Sequence, residues 1–227
     1  MSRSSATVPA QPTRRRRKDA RPGEIVDAAL RLFIERGFAA TRLDDVAECA
    51  GISKGTLYLY FESKEALLAE AVRRDIGPLL EDFTQRMRDP TLSASALIEG
   101  LMRRWWSVIN RVPLRGIPKL MISESGNFPE LAAHFVQRFI APMQDGVVAS
   151  VLRRGIASGE FAPVDVDYAV RLLVHGLVFL PLWLHSLGRV DPRPFDPERY
   201  LACWLDLHLR GLRAGAPGPA SLKDQPR

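Results

Sequence analysis

A chain of 227 residues that is 46% hydrophobic and 26% charged holds enough apolar material for a packed core, which excludes an intrinsically disordered polypeptide. Two distant cysteines, Cys49 and Cys203, exclude a disulfide scaffold and fit a reducing compartment, with each expected to be a small buried hydrophobe. The net charge of +6 belongs to the N-terminus: residues 1–21 carry seven of the 32 basic side chains and one of the 26 acidic ones, so the body is neutral.

Residues 1–22 are rich in Ser, Pro and Arg and lack apolar residues. They are expected to form a disordered basic arm, which either tracks phosphates and a minor groove or serves as a solubilising tail. No apolar run follows the arginines, so no secretory signal is expected and the location is read as cytoplasmic. A first helix over 24–36 places Ile25, Ala28, Ala29, Leu32 and Phe33 on one face and stops at Gly37. Residues 41–64, TRLDDVAECAGISKGTLYLYFESK, then read as two short helices around a turn. Thr41 is expected to cap the first, with Asp44 as its capping-box partner; Gly51 ends that helix in a left-handed conformation, and Ser53 caps the second. Val46, Ala47, Ile52 and Leu57 point inward, leaving Lys54, Gly55, Thr56, Tyr58 and Tyr60 outside. This is helix-turn-helix spacing.

Ser63 caps a fourth, linking helix with Leu67, Leu68, Ala71, Leu79 and Phe83 on its apolar face. Pro78, which has no amide to bond the Arg74 carbonyl, predicts a kink or break near Gly77 that could act as a hinge. Beyond Asp89 and Pro90, the rows Leu97, Leu101, Trp105, Ile109 and Ile98, Met102, Trp106 define a widely buried helix. A short helix or irregular segment over 112–123 comes next. Pro129 opens a long helix toward Arg154 with Pro142 inside it. Asp165 caps a helix to Leu187, and Asp196 and Pro197 start a last helix to about Leu212. The apolar stretch 172–187 is shorter than the roughly 20 residues of a membrane span, so no membrane partner is expected. No alternating strand pattern occurs. The fold class is all-α: an N-terminal three-helix helix-turn-helix DNA-binding domain over 23–68, joined by the linking helix to a larger helical ligand-binding and dimerisation domain over 69–213, with a disordered tail over 214–227.

Residues 24–73 resemble the tetracycline-repressor (TetR) family of bacterial transcription regulators. Ala28, Ala29, Phe33, Arg36, Gly37 and Phe38 match its first helix and RGF-type turn, and Thr41 with the run from Val46 to Leu68 matches the pattern VAxxAGVSKGTLYxYFxSKExLL. The resemblance implies a homodimer on a palindromic operator in double-stranded DNA, with a small-molecule effector altering the spacing of the two reading heads. By position, Ser53, Lys54, Gly55, Thr56 and Tyr58 would lie in the major groove, Thr41, Tyr60 and Lys64 would bind phosphates, and Arg42 would flank them. The alternative is a non-specific nucleic-acid-binding protein relying on the basic arm.

For the effector, Met102, Trp105, Phe128, Phe135, Phe139, His175 and Phe179 either line a pocket or are plain core; the aromatic bias favours an apolar or aromatic ligand. Trp183, Leu184, Leu187, Tyr200, Trp204 and Leu207 suit a four-helix dimer interface or internal packing. Neither HxxxH nor CxxC spacing occurs, so no metal or cofactor is expected. Without a nucleophile elbow, phosphate-cradling loop or paired carboxylates, neither is an enzyme.

Overall fold

The computed structural model describes residues 16–111 and 114–215, with backbone alone for 16–21. The chain is all-α, as expected. The outer parts of the arm and tail, residues 1–15 and 216–227, lie outside the described residues. Helix α1 (Arg16–Arg36) begins two turns earlier than the periodicity indicates, with Pro22 inside it. The last residues assigned to the disordered arm are therefore helical. Proline's fixed φ is compatible with a helix, and a position near the start forfeits little hydrogen bonding.

Helices α2 (Leu43–Cys49) and α3 (Lys54–Tyr58) pack on α1 through Phe33, Phe38, Val46 and Leu57, all fully buried. Helix α4 (Lys64–Arg86) starts on Ser63, whose hydroxyl accepts from the Ala66 amide at 3.1 Å. It runs through Pro78 without the expected break. Leu79 and Phe83 beyond the proline are as buried as Leu67 and Leu68 before it, so burial on both sides holds the helix together across one missing hydrogen bond. The Arg74 guanidinium ties α4 to α1 by donating to Asp27 at 2.7 Å and to the Gly23 carbonyl at 3.3 Å.

The larger domain contains α5 (Ala94–Ile109), a 3-10 turn (Leu114–Gly116), α6 (Ile117–Glu124), α7 (Pro129–Phe135), α8 (Ala149–Ala157), α9 (Val166–Leu184) and α10 (Pro197–Leu212). Between α7 and α8 the helix continues as two π-helical segments, Val136–Ile140 and Pro142–Val148. Pro142 cannot donate to the carbonyl four residues back, and the wider coil relieves that defect while keeping the axis continuous. Asp165 and Asp196 cap α9 and α10 as the sequence indicates. Among the described residues a single antiparallel bridge, Phe161 to Arg213, fastens the loop after α8 to the end of α10.

Candidate DNA-reading surface and effector cavity

The turn between α2 and α3 is built by hydrogen bonding. The Ile52 amide donates to the Ala47 carbonyl and the Gly51 amide to Glu48, both at 3.0 Å. This double closure requires a left-handed residue, and Gly51 has φ of +66°. Ser53 Oγ then accepts from the Thr56 amide at 3.1 Å and meets Thr56 Oγ1 at 2.8 Å, fixing the start of α3. Leu57 anchors the inner face. On the outer face Ser53, Lys54, Gly55, Tyr58 and Tyr60 are exposed and Thr56 half-exposed, with Tyr58 at 48%. Lys54 Nζ lies 2.8 Å from Asp44 on α2; that hydrogen bond and charge raise the lysine's pKa and hold it cationic.

Two residues given a phosphate-binding role have other engagements. Thr41 is buried, and its hydroxyl faces the Gly37 carbonyl at 2.8 Å and the Leu32 carbonyl at 3.3 Å. It does not cap α2 either: the exposed Arg42 occupies that position, and the Arg42 amide donates to Asp45, not Asp44, at 3.1 Å. Lys64 Nζ donates to the carbonyls of Phe38, Ala39 and Thr41 at 2.7, 3.2 and 3.4 Å and lies 4.6 Å from the Phe38 ring centroid. Its three protons are occupied within the chain. Cys49 and Cys203 are exposed, contrary to the expected burial, and remain free thiols. Small polar-tipped side chains fit the outer face of α2 and α10 without cost.

A cavity of about 280 Å³ opens between α4, α5, α6, α7 and α9. Trp105, Phe135, Phe139 and His175 line it as the sequence suggests. Ile76 on α4 joins them, together with Ile117, Met121 and Ile122 on α6, which their modest amphipathic pattern did not single out. Ser125, Gln144 and His175 are its polar members, and Gln144 Nε2 and His175 Nε2 are 3.1 Å apart. Three candidates fall elsewhere. Met102 is core beside a separate small void. Phe128 packs edge-on against Phe38 at 5.1 Å, at the junction of the two domains. Phe179 is 52% exposed on α9, beside Trp183, Phe195 and Tyr200.

On the interface candidates the structure is divided. Leu187 and Leu207 are exposed, and Trp183, Leu184 and Tyr200 are half-buried. Trp204 is buried within its own chain, its indole nitrogen close to Gly176 and its ring 4.2 Å from the His208 ring. Tyr168 and Leu172 extend the apolar face beside Leu207 into a groove. Helix α9 is long and apolar enough to cross a membrane by length and composition. Its inner row, including Leu173, Val174 and Leu177, is packed into the domain, which is how a core helix is placed.

A short exposed helix presented by a rigid glycine turn, joined through one continuous helix to an apolar cavity, defines a ligand-responsive helix-turn-helix regulator. Residues 25–71 match the family described as bacterial regulatory proteins, tetR family. An uncharacterized HTH-type transcriptional regulator, Rv1255c of Mycobacterium tuberculosis, is 36% identical over 90% of this chain and 95% of its own length. The HTH-type transcriptional repressor KstR2 of Rhodococcus jostii is 29% identical over 83% of this chain and 91% of its own length. Among solved structures, the regulator FadR of Bacillus subtilis in complex with stearoyl-CoA superposes with a TM-score of 0.68 at 19% identity, covering 84% of this chain and 99% of its own. The ketosteroid transcriptional regulator KstR2 of M. tuberculosis gives 0.65 at 25% identity, covering 85% and 95% respectively. The chain belongs to the TetR family of DNA-binding transcriptional regulators.

Proposed function

We propose that the chain is a homodimeric repressor that holds a palindromic operator and is released when a largely apolar effector enters the cavity. The observation that carries this reading is the outer face of α3: Ser53, Lys54, Gly55, Thr56 and Tyr58 stand on a helix locked by the Gly51 turn, with Leu57 fully buried beneath them. Hydroxyls and a lysine on a helix start are suited to base edges and phosphates, and Tyr60 and Arg42 flank them toward the backbone. Thr41 and Lys64 act behind that face, fixing the loop that delivers α2.

The exposed apolar face of α9 and α10, with Leu172 and Leu207 at its centre, supplies the two-fold contact. Two reading heads then meet half-sites about 34–36 Å apart. The cavity wall favours a hydrocarbon or fused-ring effector, in keeping with the KstR2 and FadR relatives. The protein works in the cytoplasm, where its operator lies.

Selection of bound duplexes from a random pool, followed by mobility shift, tests the reading. A single palindromic sequence should emerge, and Lys54→Ala and Tyr58→Ala should each lose it. Enrichment of no sequence, with both variants binding like the parent chain, overturns it.

A further inference from the structure

Among the described residues, no Lys, Arg, Asp or Glu side chain lines the cavity. A carboxylate or ammonium group inside it would lose its hydration and find no opposite charge, so the wall selects against charged ligands. Polar groups on the wall are few. Ser125 is already engaged, its hydroxyl donating to the Ile122 carbonyl at 2.9 Å. Gln144 and His175 instead meet each other on the wall, with their Nε2 atoms 3.1 Å apart.

Helix geometry brings Gln144 to that position. Ala132, Val136, Ile140 and Gln144 all line the cavity at four-residue spacing. At about 3.6 residues per turn such a row drifts around an α-helix by about 40° at each step, which would carry Gln144 well away from the side that Ala132 faces. The π-helical segments Val136–Ile140 and Pro142–Val148 turn less per residue and offset the drift. Gln144 is thus the polar member of an apolar row, and it faces His175 on α9, where the second segment packs.

A carboxamide nitrogen donates and does not accept, so Gln144 supplies the proton of this bond and His175 Nε2 receives it. The carboxamide retains a second N–H and its carbonyl oxygen, neither of which has another hydrogen-bond partner among the described residues. Gln144 is half-buried and His175 exposed, so the pair stands where the cavity meets solvent. It offers a donor and an acceptor, without a cation, beside an otherwise apolar space.

We propose that Gln144 and His175 form the polar subsite of the effector cavity, and that the effector is an uncharged hydrocarbon whose hydroxyl or carbonyl oxygen hydrogen-bonds there. This rests on the cavity being the effector site. A cavity of about 150 Å³ holds benzene, so about 280 Å³ accommodates about eleven non-hydrogen atoms.

Calorimetric titration of the full chain with butylbenzene, 4-phenylbutan-1-ol, 4-phenylbutan-2-one and 4-phenylbutanoate tests this, because the four are matched in size and differ in the polar group. Butylbenzene reports the cavity alone, and any gain over it reports the subsite. The alcohol, the ketone or both should bind about tenfold tighter than butylbenzene, and the carboxylate should show no gain. In Gln144→Leu and in His175→Leu that gain should largely disappear while butylbenzene affinity holds, which separates loss of the subsite from loss of the fold. Loss in one variant alone assigns the contact to that residue. A gain with the alcohol only assigns a hydroxyl, and a gain that includes the ketone assigns an accepting oxygen. Equal affinity for all four probes, a gain shown by the carboxylate, or a gain that both variants keep overturns the subsite and leaves the cavity reading intact. Failure to bind any of the four overturns both.

Discussion

The Lys64 ammonium donates to the Phe38 carbonyl at 2.7 Å and lies over the Phe38 ring, while Phe128, at the head of α7, closes edge-on against the same ring. One side chain thus fastens the start of α4 to the loop leading into α2, at the point where the pocket-bearing domain touches the reading head. Lys64→Met keeps the apolar stem and removes three charged hydrogen bonds. It should cost about 1–2 kcal/mol of stability without DNA present. Thermal unfolding of the free protein measures this; a lysine serving only as a phosphate ligand would leave the midpoint unchanged.

Thr41 makes a parallel case. Its buried hydroxyl has two carbonyl neighbours, so Thr41→Val leaves them without a donor at nearly constant volume and should destabilise by about 1–2 kcal/mol. Thr41→Ser should recover most of the loss in urea unfolding.

Much of this region is legible in the sequence because its signals are local. Gly51 supplies a left-handed turn, Ser53, Ser63, Asp165 and Asp196 each accept from amides within a few residues, and all sit where the sequence places them. The inward engagement of Lys64 and Thr41 was not legible because it is made with main-chain carbonyls, 23 to 26 residues away for Lys64 and four and nine residues away for Thr41. No residue type announces an acceptor of that kind. Pro78 is a strong local breaker, overruled by burial on both sides of it, and Phe128 looks like a pocket aromatic until the fold sets it against Phe38.

Gly176 faces Trp204 so closely that an added Cβ would lie 2.7 Å from the indole nitrogen. The ring is buried and rigid, so Gly176→Ala should overpack the α9–α10 contact and cost about 1–3 kcal/mol. Because the proposed two-fold contact uses the outer face of these helices, analytical ultracentrifugation should also show weaker self-association.

Glu160 receives the Ala94 and Ser95 amides at 2.7 and 2.8 Å, closing the start of α5 from the loop after α8. Burial pushes its pKa up, but hydrogen bonding from Ser95 and Ala94 outweighs this and leaves it below its ordinary 4.5. A depressed carboxylate stabilises the fold above the unfolded-state pKa and loses that contribution as pH falls through the folded value. Urea unfolding should therefore show stability declining below about pH 4.5. In Glu160→Gln this part of the decline should be absent, and at pH 7 the variant should be less stable by about 1 kcal/mol.

In the proposed function α3 reads the DNA sequence, and the basic arm adds only general attraction. Fluorescence anisotropy on the selected operator and on a scrambled duplex, for the parent chain, Tyr58→Ala and a truncation lacking residues 1–15, separates these roles. Tyr58→Ala should bring operator affinity down to the scrambled level, while the truncation should weaken both duplexes by similar factors and preserve their ratio. If the truncation abolishes binding and Tyr58→Ala leaves the ratio unchanged, α3 is not the reading element.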